Sequence, residues 1–323
     1  MKSPGLLLKR IAPFAIAAAI WFTPVPAGLT APAWHLFAVF VSAIACVLIG
    51  SFPLLTASMI AVATVVLTDT LTPAQAFSGF ANASVLLVVI AFIVAQAVVK
   101  SGLGRRISLL MVSRFGGSPL GLAYSLVLTD AAIAPAFPSN TARGGVLFPI
   151  VLSISKGAGS EPDSPEGRRL GGYLMFCAMA GLSVSSALWL TATSCNPIGV
   201  QIAQQHGMDI GFADWLVASS VPTLSAILVL PLLVAKIFPP GIGATPEAPL
   251  AARKDLAGMG AMSRDEWITL VTFAVMVAGW VAGSALQING TAVAFMGFGV
   301  LLVSGVLTLE DISKQGDTPA NFL

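Results

Sequence analysis

The sequence predicts an all-α polytopic membrane protein, and three observations carry that prediction. Hydrophobic residues make up 56% of the 323 residues and charged residues 9%, a composition from which no water-exposed surface can be assembled. Apolar windows of bilayer-crossing length recur along the chain. The basic residues fall almost entirely into alternate connecting segments.

A bilayer core about 30 Å thick calls for roughly 20 apolar residues per helix at about 1.5 Å rise per residue. Eight windows meet that demand, at 11–28, 32–50, 54–69, 83–99, 172–205, 214–237, 267–284 and 291–308. The first follows Lys9 and Arg10 as a signal peptide would, but seven further spans favour an uncleaved first helix. The fifth is too long, and too polar at its centre, for one regular helix. A ninth apolar region, 118–154, carries Pro135, Pro138 and the triplet Ser139-Asn140-Thr141 between two short arms.

Counted from a cytoplasmic N-terminus, the segments near 24–31, 70–82, 206–213 and 285–290 lie outside and contain no Lys or Arg. Fifteen of the sixteen basic residues, from Lys2 through Arg168 to Lys314, then lie inside, a strong positive-inside distribution. The sixteenth, Arg143, lies within 118–154. Basic residues flank that region on both sides, so it must return to the side from which it starts. It is expected to be a re-entrant hairpin, and irregular backbone at membrane depth implies a cavity beside it.

Other classes of function are excluded or weakened. Lys+Arg 16 against Asp+Glu 14 leaves a formal charge of +2 with no dense basic stretch, which excludes nucleic acid as a partner. Cys46, Cys177 and Cys195 are odd in number and show no CxxC spacing, so neither a disulfide framework nor a zinc site is indicated. His35 and His206 lie away from the middle of any span, which removes the base an intramembrane serine protease needs. Gly102-Leu103-Gly104-Arg105-Arg106 lacks the strand-loop-helix context of a nucleotide loop and is expected to begin an interfacial helix.

A long-range echo runs through the chain. Trp34 and Thr56-Ala57 open successive apolar spans, as do Trp267 and Thr291-Ala292, with opposite starting sides. Inverted-topology repeats give that relation, as in many secondary transporters, although chance similarity between apolar helices gives it about as readily. The expected organisation is a first helix in 1–31, one repeat over 32–237, a cytoplasmic linker over 238–266 and the start of a second repeat over 267–323.

Two constellations carry the chemistry. Pro138 to Arg143 forms the hairpin tip, where a helix starting near Ala142 turns its free N–H groups and positive dipole end toward an anion. Asn140 and Thr141 add side-chain hydrogen bonds, and carbonyls freed by the break suit a cation. The second constellation is Thr191 to Pro197, where the helix is expected to unwind and restart at Pro197. Thr193, Ser194 and Asn196 would face the tip. The bland alternatives are a helix cap at Ser139 and a Ser/Thr packing stretch at 191–196. Arg143 has two readings of equal weight: fixed positive charge for a dianion, or an ion pair with Asp130 that locks the hairpin.

These residues resemble the divalent anion:sodium symporter family, and within it the bacterial citrate/succinate and tartrate/succinate antiporter branch. The resemblance rests on Ala33-Trp34-His35, Ser101 to Arg106, Ala134-Pro135, Pro138 to Arg143, Arg169 with Gly171 to Met175, and Arg264 before Trp267. It implies a di- or tricarboxylate carrier of the inner membrane, not an enzyme, working by alternating access and exchanging one anion for another. Sodium-coupled symport and a non-transporting fragment are the alternatives. Carried onto this chain, it places Ser139 and Asn140 at a cation position, Asn140 and Thr141 on substrate, and Thr193 to Asn196 opposite. It implies no cofactor other than a sodium ion in the case of symport, small carboxylates and lipid as partners, and a homodimer. The family's facing loop reads Thr-Gly-Thr-Ala-Pro-Asn where this chain has Thr191-Ala192-Thr193-Ser194-Cys195-Asn196. The family also continues into a second hairpin and broken helix, so the resemblance makes this chain appear truncated in its second repeat.

Overall fold

The computed structural model describes residues 4–157, 160 and 168–313. Among them every regular element is helical. Besides two 3₁₀ turns, Ser78–Ala81 and Ala134–Ala136, they are in order α1 (Pro4–Trp21), α2 (Ala31–Leu48), α3 (Leu54–Leu67), α4 (Pro73–Ala76), α5 (Ala83–Ser101), α6 (Leu103–Phe115), α7 (Pro119–Ile133) and α8 (Asn140–Gly157). There follow α9 (Arg168–Ser185), α10 (Cys195–Gln205), α11 (Phe212–Ile237), α12 (Glu247–Met259), α13 (Arg264–Leu286), α14 (Gly290–Val303) and α15 (Leu309–Ser313). Lys2 and Lys314 of the one-sided basic set, and the side chain of Arg168, fall outside the described residues.

Among the described residues, five segments are long and apolar enough to cross a bilayer: α2, α5, α7 with the turn after it, α11 and Arg264–Gly283. The shorter apolar helices α3 and α14 occupy two more of the expected windows. The first window is displaced, because α1 ends at Trp21 and Pro24, Pro26 and Gly28 at φ +88° hold the following segment out of helix. The fifth is divided, with helix on either side of a turn-rich 186–194. The helix after that break starts at Cys195 and not at Pro197; Pro197 sits in its first turn, where the missing N–H costs no intrahelical bond.

The chain divides into two compact units, one running to Val85 and the other from Leu86 to Ile312. In the first, α1, α2 and α3 pack in succession. Trp34 Nε1 donates to the Ile20 carbonyl at 3.0 Å, and His35 stacks on Trp21 with centroids 3.9 Å apart, so this histidine is a packing residue.

In the second unit α9 is the spine, packing against α7, α8 and α11. Tyr173, Leu174 and Cys177 on α9 bury against Leu122 and Leu126 on α7. Gly181 permits the close approach of these helices, since a Cβ there would lie 2.9 Å from Val127. Two thirds of the α7 segment (67%) is buried in protein, against 17% of α11, so α7 is shielded from lipid on most sides.

The segment 245–259 gathers both open ends of the α7–α8 pair. Thr245 donates its N–H to Gly117 O at 3.0 Å and its hydroxyl to Gly116 O at 2.7 Å, just before α7. The far end of α8, at Ser153 to Gly157, shares a cavity of about 770 Å³ with α12. Arg106 is not a lipid-facing charge: it pairs with Glu266 at 2.6 Å and donates to Gly260 O and Ala261 O, pinning the loop that opens α13. Ser263 caps that helix, with its hydroxyl accepting from Glu266 N.

Candidate functional site

The break between α7 and α8 is written in its residues. A single 3₁₀ turn, Ala134–Ala136, follows α7, and Phe137 and Pro138 leave the helical path. Pro135 and Pro138 supply no N–H to continue the ladder. Helix restarts at Asn140, two residues earlier than expected, with Ser139 Oγ accepting from Ala142 N at 3.3 Å and Ser139 O from Arg143 N at 3.2 Å. Ser139 is therefore the N-cap, and the free donors and positive dipole end of an 18-residue helix lie at the tip.

The break between α9 and α10 lies against that tip. Ser194 N donates to Pro138 O at 3.1 Å, and Thr191 Oγ1 to Pro135 O at 2.8 Å. Trp189 Nε1 adds a bond to Ala131 O at 2.9 Å. Three carbonyls freed by the first break, those of Ala131, Pro135 and Pro138, are thus answered by donors from the second segment. Asn140 and Thr141 remain exposed, Thr193 and Ser194 are half-buried, and together they form a polar face on both broken segments.

Arg143 is placed differently from the ligand position expected for it. It is 0% exposed, as is Asp130, and its Nη1 donates to Asp130 Oδ2 and to Ser185 Oγ, each at 2.8 Å. Nη2 donates to Asn140 Oδ1 at 2.7 Å, Ser186 Oγ at 2.5 Å and Leu182 O at 3.2 Å. Ser185 Oγ donates in turn to Asp130 Oδ2. Of the two readings open in the sequence, the hairpin-locking ion pair is the one formed, and the guanidinium is wholly buried, with Nε the one donor that meets no acceptor among the described residues.

Asn196 is also turned inward. Its Nδ2 donates to Ser186 O at 2.8 Å and Trp189 O at 3.1 Å, closing the loop before α10 rather than offering donors to an anion. Ser185, Ser186 and Trp189 belong to the arrangement, although no spacing in the sequence links them to the tip. The one available signal is the paired hydroxyls just before the expected break.

Residues 5–322 match the family described as "Sodium:sulfate symporter transmembrane region". The chain is 38% identical to the "Putative malate transporter YflS" of Bacillus subtilis, over 96% of this chain and 65% of that protein. It is 38% identical to "Dicarboxylate transporter 1, chloroplastic" of Arabidopsis thaliana over 95% of this chain and 56% of that one. The "Citrate/succinate antiporter" of Escherichia coli is 34% identical over 95% of this chain and 67% of its own length. The chain thus spans between about half and two thirds of the length of these relatives.

Proposed function

From the premise that this chain belongs to the sodium:sulfate symporter transmembrane family, we propose that it forms part of a carrier for di- or tricarboxylates. The carrier works in the inner membrane with its N-terminus in the cytoplasm, and it exchanges one anion for another by alternating access. The observation that carries this reading is the bond from Ser194 N to Pro138 O, which brings two helix breaks to one place. Irregular backbone in a membrane protein is tolerated where it lines a site, and paired breaks are how transporters of this architecture hold their cargo.

The chemistry follows from what each group has left to give. A carboxylate at the start of α8 meets free backbone N–H groups and the positive dipole end. Asn140 Nδ2, the Thr141 hydroxyl and, from the facing loop, the Thr193 and Ser194 hydroxyls supply the side-chain donors. Each is neutral, so the anion is held by direction and number of hydrogen bonds and not by a permanent counter-charge, which keeps release possible. The names of the relatives, malate, dicarboxylate and citrate/succinate, indicate the size class of the cargo.

A second reading, sodium-coupled symport, is favoured by one observation. The Asp130–Arg143 pair is neutral as a unit, so the described site offers a dianion no net positive charge. A co-bound cation elsewhere in the whole protein would supply it.

Counterflow into proteoliposomes holding the full-length protein tests both. Internal succinate is expected to drive uptake of labelled succinate, malate or citrate with choline in place of sodium. Uptake only with sodium selects the second reading, and no uptake of any of the three refutes the proposal.

A further inference from the structure

The family description names sodium, and the resemblance places Ser139 and Asn140 where sodium would sit. A sodium ion needs oxygen ligands with free lone pairs. Ser139 Oγ already takes the Ala142 N–H at 3.3 Å, which leaves it one lone pair. The more telling group is the Asn140 amide.

An asparagine side chain has one acceptor end and one donor end, and which of them faces a ligand depends on its neighbours. Here the neighbour leaves no choice. Guanidinium is donor-only, and Arg143 Nη2 lies 2.7 Å from the Asn140 side chain, so the atom facing it must be Oδ1. A flipped amide would set N–H against N–H inside a buried network. Ser186 Oγ, 2.5 Å from the same oxygen, shares its single proton between Asn140 Oδ1 and Leu182 O. Among the described residues Nδ2 meets no acceptor, and Asn140 is exposed.

Arg143 cannot rotate away from this duty. Asp130 and Ser185 hold Nη1, while Ser186 and Leu182 hold Nη2, and the residue is wholly buried on α8 between α7 and α9. We infer that Arg143, held by Asp130, Ser185 and Ser186, is a positioning residue that fixes the Asn140 amide with its oxygen inward. Asn140 then presents N–H donors alone and is an anion ligand, not a sodium ligand. Asp130 acts at one remove: it neutralises the guanidinium, so what reaches the site is the orientation of an amide and not a charge.

The inference rests on the carboxylate-binding reading above, and its test separates the two. The full-length protein is compared with the double variant Asp130→Asn/Arg143→Gln, which keeps the buried pair neutral but substitutes an amide that can itself flip. Arg143→Lys, which stays donor-only, is the conservative control. The double variant is expected to raise the succinate concentration for half-maximal counterflow about tenfold or more, as loss of an oriented donor to a charged ligand does. Its maximal rate and ligand-free melting temperature should change little, and Arg143→Lys should restore wild-type half-saturation. Equal half-saturation in wild type and double variant, or a loss confined to maximal rate and melting temperature, overturns the inference.

If the wild type exchanges no carboxylate, the transport reading fails and the amide orientation is read from melting temperatures alone. Inorganic sulfate raising the wild-type value but not that of the double variant supports it. No difference between the two proteins, or a rise with sodium in place of choline and none with sulfate, overturns it. Should the double variant not fold, Asn140→Asp replaces it, with one carboxylate oxygen on Arg143 and the other facing the site. Anion binding is then expected to be lost with or without sodium, and sodium-dependent binding in that variant overturns the inference.

Discussion

Ser194 donates its backbone N–H to the carbonyl oxygen of Pro138 across 3.1 Å, so the broken centre of one helix pair is tied to the broken tip of another. The bond involves no side chain. It depends on two irregular stretches being folded at once, and the side-chain bonds around it offer the means to test it.

Thr191 Oγ1 to Pro135 O is a buried bond of 2.8 Å that clamps the same two breaks. Thr191→Val removes the donor at nearly constant volume and leaves the Pro135 carbonyl unanswered. The expected cost is about 1–3 kcal/mol of stability, with weakened anion binding. Thermal unfolding in detergent with and without succinate checks both effects.

Asp130 and Arg143 form a fully buried ion pair at 2.8 Å. Asp130→Asn leaves the guanidinium charge unpaired in the interior and is expected to destabilise by about 3–5 kcal/mol. Asp130→Asn/Arg143→Gln is expected to recover most of that loss. Melting temperatures of the single and double variants decide it, and equal instability of the two contradicts the pairing.

Gly181 faces Val127 where α9 meets α7. Gly181→Val adds a branched side chain where even a single Cβ would sit 2.9 Å from Val127 Cγ2. Overpacking of this kind costs about 1–3 kcal/mol and forces α7 outward. Val127→Ala in the same protein should relieve it, and a double-mutant cycle on melting temperature measures the coupling.

The Lys100 ammonium, 2.6 Å from Asp311, holds that carboxyl down to about 2, helped by the Thr308 hydroxyl and N–H. A carboxylate depressed in the folded state stabilises it above the unfolded value of about 3.9 and loses that effect as pH falls toward the folded one. Amide protection of α15 is expected to be flat above pH 5 and to fall between roughly pH 4 and pH 2. Hydrogen exchange on the intact protein checks this, and Lys100→Met should raise the pH at which the loss begins.

The architecture was legible because its determinants are local. Apolar run length marks helices, and Pro135, Pro138 and Ser139-Asn140-Thr141 forbid a continuous one. The end of α1 is not legible, because Pro24 and Pro26 sit among apolar residues that keep the window hydrophobic past Trp21. The site was half legible. Its polar triplets stand out against apolar surroundings, but the partition of donors does not. Arg143 could serve ligand or lock, and only the arrival of Asp130 and Ser185 on neighbouring helices decides it. Ser186 lies 46 residues from Asn140, and a serine on an apolar helix is unremarkable until α8 is packed beside it. At Asn196 the sequence shows the residue type but not that its amide Nδ2 turns to Ser186 O and Trp189 O.

The central claim is that both breaks hold one anion between them, and cysteine protection tests it most directly. Among the described cysteines only Cys195 is exposed, so Cys195→Ser clears the background while buried Cys46 and Cys177 remain. Thr141→Cys and Thr193→Cys, one on each break, are then alkylated by a membrane-impermeant maleimide in the full-length protein. The account predicts that succinate slows both reactions with the same half-protecting concentration. Protection of one position alone, or reaction at the bulk-water rate at either regardless of succinate, contradicts it.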